Sequence, residues 1–410
     1  MKLVHRVRSI ESRLKGSSVM NRAASAERRR DLAGGHPLAA DPLEHLEAAL
    51  AWLVRAQDAT PDGGVARGYA VAWSEHFRRR GWQPSYPETT GYIIPTFFDA
   101  AAALDRPELA QRAVRMADWE IEVQLPSGAV QGGTIGEGPP SPAVFNTGQV
   151  IFGWLRAYRE TGRDAYLEAA RRAGDFLLGT QAPDGAFRKG ASRFAREDCT
   201  TYNTRVAWAL CQLGRDADEP RYTEAGARNV EFGISRQLEN GWFRENCLSD
   251  PERPLLHTIA YATRGILEAG VLMGNESWVE AARRTARALA ARQRPDGGLA
   301  GRFAHDWSER ADWDCLTGDV QMAIVWAKLA AAVGDAELGE RAREICRFVM
   351  RSQNRSARDP GLRGGIKGSF PIDGEYGRYE VLNWATKFFV DALLLTLPAE
   401  RFRSAASVSG

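Results

Sequence analysis

The sequence predicts an all-α fold, six helical hairpins closed into an (α/α)6 toroid with an inner ring of helices inside an outer ring. Three observations predict it: a Gln- and Gly-containing segment that returns six times, helices that alternate between amphipathic and apolar, and connections that are long at one end only. The segment reads QDATPDGG from Gln57, QLPSGAV from Gln124, QAPDGAF from Gln181, QLENGWF from Gln237 and QRPDGGL from Gln293. A worn copy begins at Gln353 and reaches Gly364 and Gly365. The intervals are 67, 57, 56, 56 and 60 residues, a spacing at which one supersecondary unit repeats.

Each copy follows an amphipathic stretch: DPLEHLEAALAWLVRAQ, PELAQRAVRMADWEIEVQ, DAYLEAARRAGDFLLGTQ, PRYTEAGARNVEFGISRQ, NESWVEAARRTARALAARQ and AELGERAREICRFVMRSQ. Apolar residues at three- and four-residue spacing beside Arg and Glu make these one-sided surface helices. The Gly after each predicts a left-handed helix stop, and the Gln is expected to bond neighbouring loop backbone. The stretches that follow are apolar nearly all round: TTGYIIPTFFDAAAAL, FNTGQVIFGWLRAY, TYNTRVAWALCQL, HTIAYATRGILEAGVLM, CLTGDVQMAIVWAKLAAAV and EVLNWATKFFVDALLLT. These are the buried inner helices. Inner-to-outer links are short (LDRP, ETGRD, MGNE, VGD), whereas outer-to-inner links far exceed the usual length of roughly 4–6 residues. Long loops gathered at one end of a ring wall a binding funnel, so function is expected at the N-terminal ends of the inner helices.

Residues 41–397 therefore form one toroid domain, with a basic, flexible arm over 1–40 and a tail over 398–410. The arm holds nine Lys/Arg against three Asp/Glu, a net +6 that leaves −4 from the chain's overall +2 for the rest. That balance excludes a nucleic-acid-binding body. Within residues 1–30, Leu3, Val4, Val7, Ile10 and Leu14 share a stripe opposite Arg and Lys, so peripheral contact with a membrane of anionic lipid and a disordered tail are both open. Met20 is a candidate alternative start, and no secretory apolar centre precedes it. No run of about 18 apolar residues spans a membrane. Five cysteines without a close-spaced pair read as reduced thiols, which points to a cytoplasmic setting.

Polar side chains inside a ring are costly unless paired or wetted, yet every inner helix carries some near its start. They are Glu88; Asn146 and Gln149; Tyr202, Asn203 and Arg205; His257, Tyr261 and Arg264; Asp314 and Gln321; and Glu380, Asn383 and Lys387. Thr147, Thr201 and Thr258 read as helix caps, a role also open to Asp314. Trp73, Trp242, Trp313 and Tyr379 supply aromatic loop surface. Aromatics beside carboxyl groups and amides suit a sugar. Glycoside hydrolysis needs two carboxyl groups, for which Glu88, Asp314 and Glu380 are candidates. A uronate lyase or epimerase instead needs Arg205, Arg264, Asn146 or Gln149 on the carboxylate, and Tyr261 or His257 to move the adjacent proton.

The chain from about 41 to 397 resembles the six-hairpin (α/α)6 glycan-processing superfamily of unsaturated glucuronyl hydrolases, N-acylglucosamine 2-epimerase-like proteins, and toroidal polysaccharide lyases and uronyl epimerases. YPETTGYIIPT, FNTGQV, YNTRVAWAL, LLHTIAY, CLTGDVQMA, GGIKGSFPI and NWATKFFVDAL are similar to proteins of bacterial exopolysaccharide clusters. The hydrolase resemblance implies an acidic residue opening the second inner helix, where this chain has Asn146. FLLGTQAPDGAF also resembles the Gln-Trp repeat of squalene–hopene cyclases and prenyltransferases. Cyclases imply an Asp-x-Asp-Asp motif, which DWDC at 312–315 does not complete. Prenyltransferases imply zinc on Asp, Cys and His, and here Asp312 or Asp314, Cys315 and His257 stand in reversed order. The Cys-His-Gly motif of lanthionine-cyclase toroids is absent. The expectation is thus a carbohydrate-active enzyme acting on a uronate-containing oligo- or polysaccharide, by proton abstraction (lyase or epimerase) slightly ahead of glycosidic hydrolysis, without metal or cofactor. The alternatives are an isoprenoid cyclase or transferase and a non-catalytic polysaccharide-binding scaffold.

Overall fold

The computed structural model describes residues 21–191, 195–198, 200–248 and 250–406. The apolar stripe and Met20 lie outside them. Chain order gives α1 (Arg22–Leu32), α2 (Leu43–Asp58), β1 (Gly68–Ser74), β2 (Arg79–Trp82), α3 (Pro87–Leu104), α4 (Pro107–Glu122), α5 (Val144–Thr161) and α6 (Asp164–Thr180). Then come α7 (Thr204–Asp216), α8 (Pro220–Ser235), α9 (Leu256–Met273), α10 (Glu276–Ala290), β3 (Asp314–Cys315) and α11 (Leu316–Val333). The chain ends with α12 (Ala336–Ser352), β4 (Ser369–Phe370), β5 (Glu380–Leu382), α13 (Asn383–Thr396) and α14 (Ala399–Ala406).

The apolar helices α3, α5, α7, α9, α11 and α13 pack in that order, and α13 returns to α3, closing the inner ring. The amphipathic helices α4, α6, α8, α10 and α12 each lie on the inner helix before them, and α2 lies on α13. Among the described residues one helix, α11, is long and apolar enough to cross a membrane, and it sits in the inner ring between α9 and α13. Cys211, Cys247, Cys315 and Cys346 are buried free thiols.

The repeated glutamine has a sixfold task. Gln181 Nε2 donates to Gly185 O at 3.1 Å in its own loop and to Ala225 O at 2.8 Å on the next outer helix, while Arg228 donates back to its Oε1 at 3.0 Å. Gln124 does the same with Gly128, Ala169 and Arg172, and Gln293 with Gly297, Arg341 O and the Arg341 guanidinium. Gln353 bonds Gly364 O and His45 O, with His45 in the arginine's place, so the last clamp joins the chain's end to its beginning. The predicted helix stop is corrected here. The outer helices end in ordinary right-handed or extended residues, and the glycine comes later, at φ +89° for Gly185, where a Cβ would lie 2.3 Å from Arg228 O.

Two further expectations give way. Thr147 and Thr258 do not cap: Thr147 Oγ1 accepts from Val130 N at 2.9 Å, and Thr258 Oγ1 donates to Asn246 O at 3.1 Å, so these threonines tie the long loops to the inner helices. Thr201 likewise donates to Arg244 O at 2.7 Å. The arm boundary at residue 40 also moves. Helix α1, capped by Asn21, docks on the body through Glu27 and Asp31, which hold the buried Lys367 ammonium, and Arg28 pairs with Asp373 at 2.6 Å. The tail is helical over Ala399–Ala406.

The first and last long loops pair with each other. β1 lies between β2 and β5, with Tyr69 opposite Trp82 on one side and Val381 on the other. This small sheet becomes one wall of the site.

Candidate active site

A pocket of about 1020 Å³ opens at the N-terminal ends of the inner helices. The starts of five inner helices contribute to it: Glu88 and Tyr92 from α3, Phe145 and Asn146 from α5, Tyr202 just before α7, His257 and Tyr261 from α9, and Trp384 from α13. The sheet and its loops add Arg67, Trp73, His76, Tyr376, Arg378, Tyr379 and Glu380. Tyr379 holds a left-handed backbone at φ +57°, uncommon for a bulky residue, and its carbonyl accepts from Val71 N at 2.9 Å.

Two carboxyl groups face this space from different surroundings. Glu88 follows Pro87 in the first turn of α3 and accepts from the Tyr86 hydroxyl at 2.6 Å. Burial pushes its pKa up to about 7, against the pull of that hydrogen bond and of the Arg205 and Arg67 charges. Glu380 lies across a charged network: Arg67 Nη1 is 3.0 Å from its Oε2, Gln83 Nε2 is 2.7 Å from its Oε1, and Arg67 also donates to Gln83 Oε1 at 2.6 Å. Arg67 stacks 4.8 Å above the Trp384 ring. A third carboxylate, Glu137, pairs with His76 and accepts from Thr134 N at 2.8 Å.

His257 is fixed from behind, its Nδ1 2.8 Å from the Gln321 amide nitrogen, with its ring 4.3 Å from that of Tyr261 and 5.3 Å from that of Tyr376. Burial, and then the Arg205 charge, push its pKa down to about 3, so it is neutral at ordinary pH. Burial and the neighbouring Glu88 raise the Tyr261 phenol above its usual range.

Of the residues singled out from sequence, Glu88, Glu380, His257, Tyr261, Asn146, Tyr202, Trp73 and Tyr379 meet on this pocket. The others do not line it. Asp314 is buried against Arg294, held there by the β3–β4 pairing. Trp313 packs on Gly301 and Gly374, and Trp242 lies near His305, so neither offers a surface to the pocket. Gln149 and Arg205 bond each other at 2.7 Å beneath its floor. Arg264 pairs with Glu268 and Lys387 with Asp391, one helical turn further on in each case. Gln321 backs His257; Asn203 is buried at the 3₁₀ turn before α7; Asn383 bonds Ala66 O and Thr89 Oγ1, sealing the ring.

No protein-family model and no curated protein matches the chain. Its structure is similar to that of an unsaturated glucuronyl hydrolase specific for heparin, at TM-score 0.67 and 16% identity over 86% of this chain and 95% of that one. It is also similar to the cellobiose 2-epimerase of Bacillus thermoamylovorans (0.67, 14%, 91% and 99%) and the unsaturated glucuronyl hydrolase of Bacillus sp. GL1 (0.65, 14%, 86% and 96%). The fold shared with these structures is the (α/α)6 toroid. Within this toroid, sequence reasoning missed Arg67, Tyr86, Glu137, Tyr376 and Trp384. Only Trp384 had a usable signal, since it stands second in NWATKFF at the start of the last inner helix; the rest stand on loops whose pairing no local pattern carries.

Proposed function

We propose that this toroid is a carbohydrate-active enzyme that admits an acidic, uronate-containing glycan to its axial pocket and cleaves a glycosidic bond there, with Glu88 as the proton donor. The observation that carries this reading is the contrast between two carboxyl groups on one cavity. Glu88 keeps a proton to about pH 7, while Glu380 is bonded by Arg67 and Gln83. Carboxyl groups held in opposite surroundings are the equipment of glycoside hydrolysis, one donating to the leaving oxygen, the other serving as base or nucleophile. Trp73, Tyr379 and Trp384 offer ring faces to sugar, and Arg378, exposed at the mouth, offers a fork for a carboxylate.

Proton abstraction beside a uronate carboxylate is the second reading, because Tyr261 and His257 both line the pocket and epimerases are among the structurally similar proteins. It ranks lower because neither group has a proton affinity near neutrality, where a general base works best. Four glutamates on the lining (Glu75, Glu88, Glu137, Glu380) speak against an apolar isoprenoid. The setting suggested by the sequence resemblance, exopolysaccharide biosynthesis or modification in the cytoplasm, belongs to this proposal as well. Glu88→Gln and Glu380→Gln, assayed on a panel of uronate oligosaccharides, are each expected to lose at least ~100-fold in turnover while still binding. Undiminished turnover in Glu88→Gln would remove hydrolysis in favour of the second reading, in which Tyr261→Phe is the inactive variant. Binding without turnover in the wild type would make the protein a scaffold.

A further inference from the structure

Arg205 was expected to hold a sugar carboxylate, yet it lies beneath the floor of the pocket, 2% exposed. Its Nε donates to the neutral amide of Gln149 at 2.7 Å. Its guanidinium carbon lies between 5.2 and 5.4 Å from the ring centres of Phe152, Trp208, Tyr261 and Phe388, and Nη1 is buried without a hydrogen-bond partner. Among the described residues no carboxylate is ion-paired with it, whereas its neighbours Arg264 and Lys387 have Glu268 and Asp391. An aromatic cage of this kind would accept a methionine with little strain. A buried charge without a counter-charge is a costly choice for packing alone.

We propose that Arg205 is a positioning residue, the positive charge without an ion-pair partner beneath the floor that lets Glu88 release its proton. The charged and titratable groups around Glu88 support this. Tyr86 donates a hydrogen bond to it, and Tyr92 and Tyr261 are neutral phenols. The charge of Arg67 is offset by Glu380. Arg205 is left as the cation acting on Glu88 that has no ion-pair partner among the described residues; the charges of Arg264 and Glu268 act on Arg205 in opposite senses, and Lys387 is held by Asp391. Burial first, and then the same charge, keep His257 from taking up the proton that Glu88 releases. An acid that must give up and regain a proton in each cycle requires this, because burial alone would hold the proton permanently.

This inference rests on the reading of Glu88 as the acid, but its test needs no substrate. Carbon-13 NMR of glutamate-labelled protein, with the Glu88 carboxyl signal assigned by its loss in Glu88→Gln, follows the titration in the free enzyme. The wild-type midpoint is expected near pH 7. In Arg205→Met it rises by roughly one unit or more, and in Arg205→Lys, which keeps the charge, it stays close to wild type. Arg205→Met also unfolds at the same or a higher urea concentration, as expected where an uncompensated charge yields to an apolar chain. An unmoved midpoint in folded Arg205→Met, or failure of Arg205→Met to fold, overturns the proposal, the latter by making the arginine a structural support. A midpoint that moves as expected in a protein that turns over no glycan leaves this inference standing and removes the hydrolase reading.

Discussion

At Glu88 the link between burial and proton affinity has a measurable sign. The carboxyl rises from 4.5 to about 7 on folding, so between those pH values the folded chain keeps a proton that the unfolded chain has lost. Stability therefore falls as pH climbs through this window and levels off above it, by no more than about 3–4 kcal/mol and by less to the extent that pocket water reaches the group. Urea unfolding of the wild type should show this decline from pH 4.5 to 7, and Glu88→Gln should show a flatter profile. Equal slopes in the two proteins would contradict the assignment. Glu88 was legible from YPETTGY because a carboxyl group in the first turn of an apolar helix has no packing role. Asp314 looked equivalent in sequence and is not, because Arg294 reaches it from the preceding loop. Sequence spacing carries no information about that approach.

Among the elements, helix α1 departs furthest from its sequence reading. Its Arg22, Arg28, Arg29 and Arg30 suggest a solvated arm, but Glu27 and Asp31, one turn apart, face inward on Lys367, which is 1% exposed. His36 and Asn354 each complete Glu27 at 2.8 Å, and Ile372 N completes Asp31 at 2.9 Å. The cluster fastens α1 to Lys367 and Ile372 on either side of β4, while Asn21 bonds Val71 O of β1, so the helix braces the wall that carries Arg67, Tyr379 and Glu380. Lys367→Met would leave two buried carboxylates facing each other, at an expected cost of about 3–5 kcal/mol in urea unfolding. A loss below about 1 kcal/mol would mean that the cluster contributes little to docking. The small sheet was equally hidden, since GYAVAWS and EVL are short and their pairing joins the two ends of the toroid.

Across the whole molecule, the alternation of amphipathic and apolar helices was legible because each ring imposes its own periodicity, and the glutamine repeat because every hairpin needs the same clamp to its neighbour. Helix polarity then fixed where the site lies: the long loops and the inner-helix starts share one end. What the pattern could not place was depth. Glu88, His257 and Tyr261 reach the pocket, whereas Arg264, one turn beyond Tyr261 on α9, Arg205 in the first turn of α7 and Lys387 in the second turn of α13 are buried outside its lining. Incubating the wild-type protein with uronate oligosaccharides in heavy water and reading the products by NMR decides whether this pocket breaks glycosidic bonds. Hydrolysis with Glu88 as the acid gives new reducing ends with no deuterium on the carbon beside the carboxylate and no new double bond. Deuterium at that carbon, or an unsaturated uronate, would contradict it.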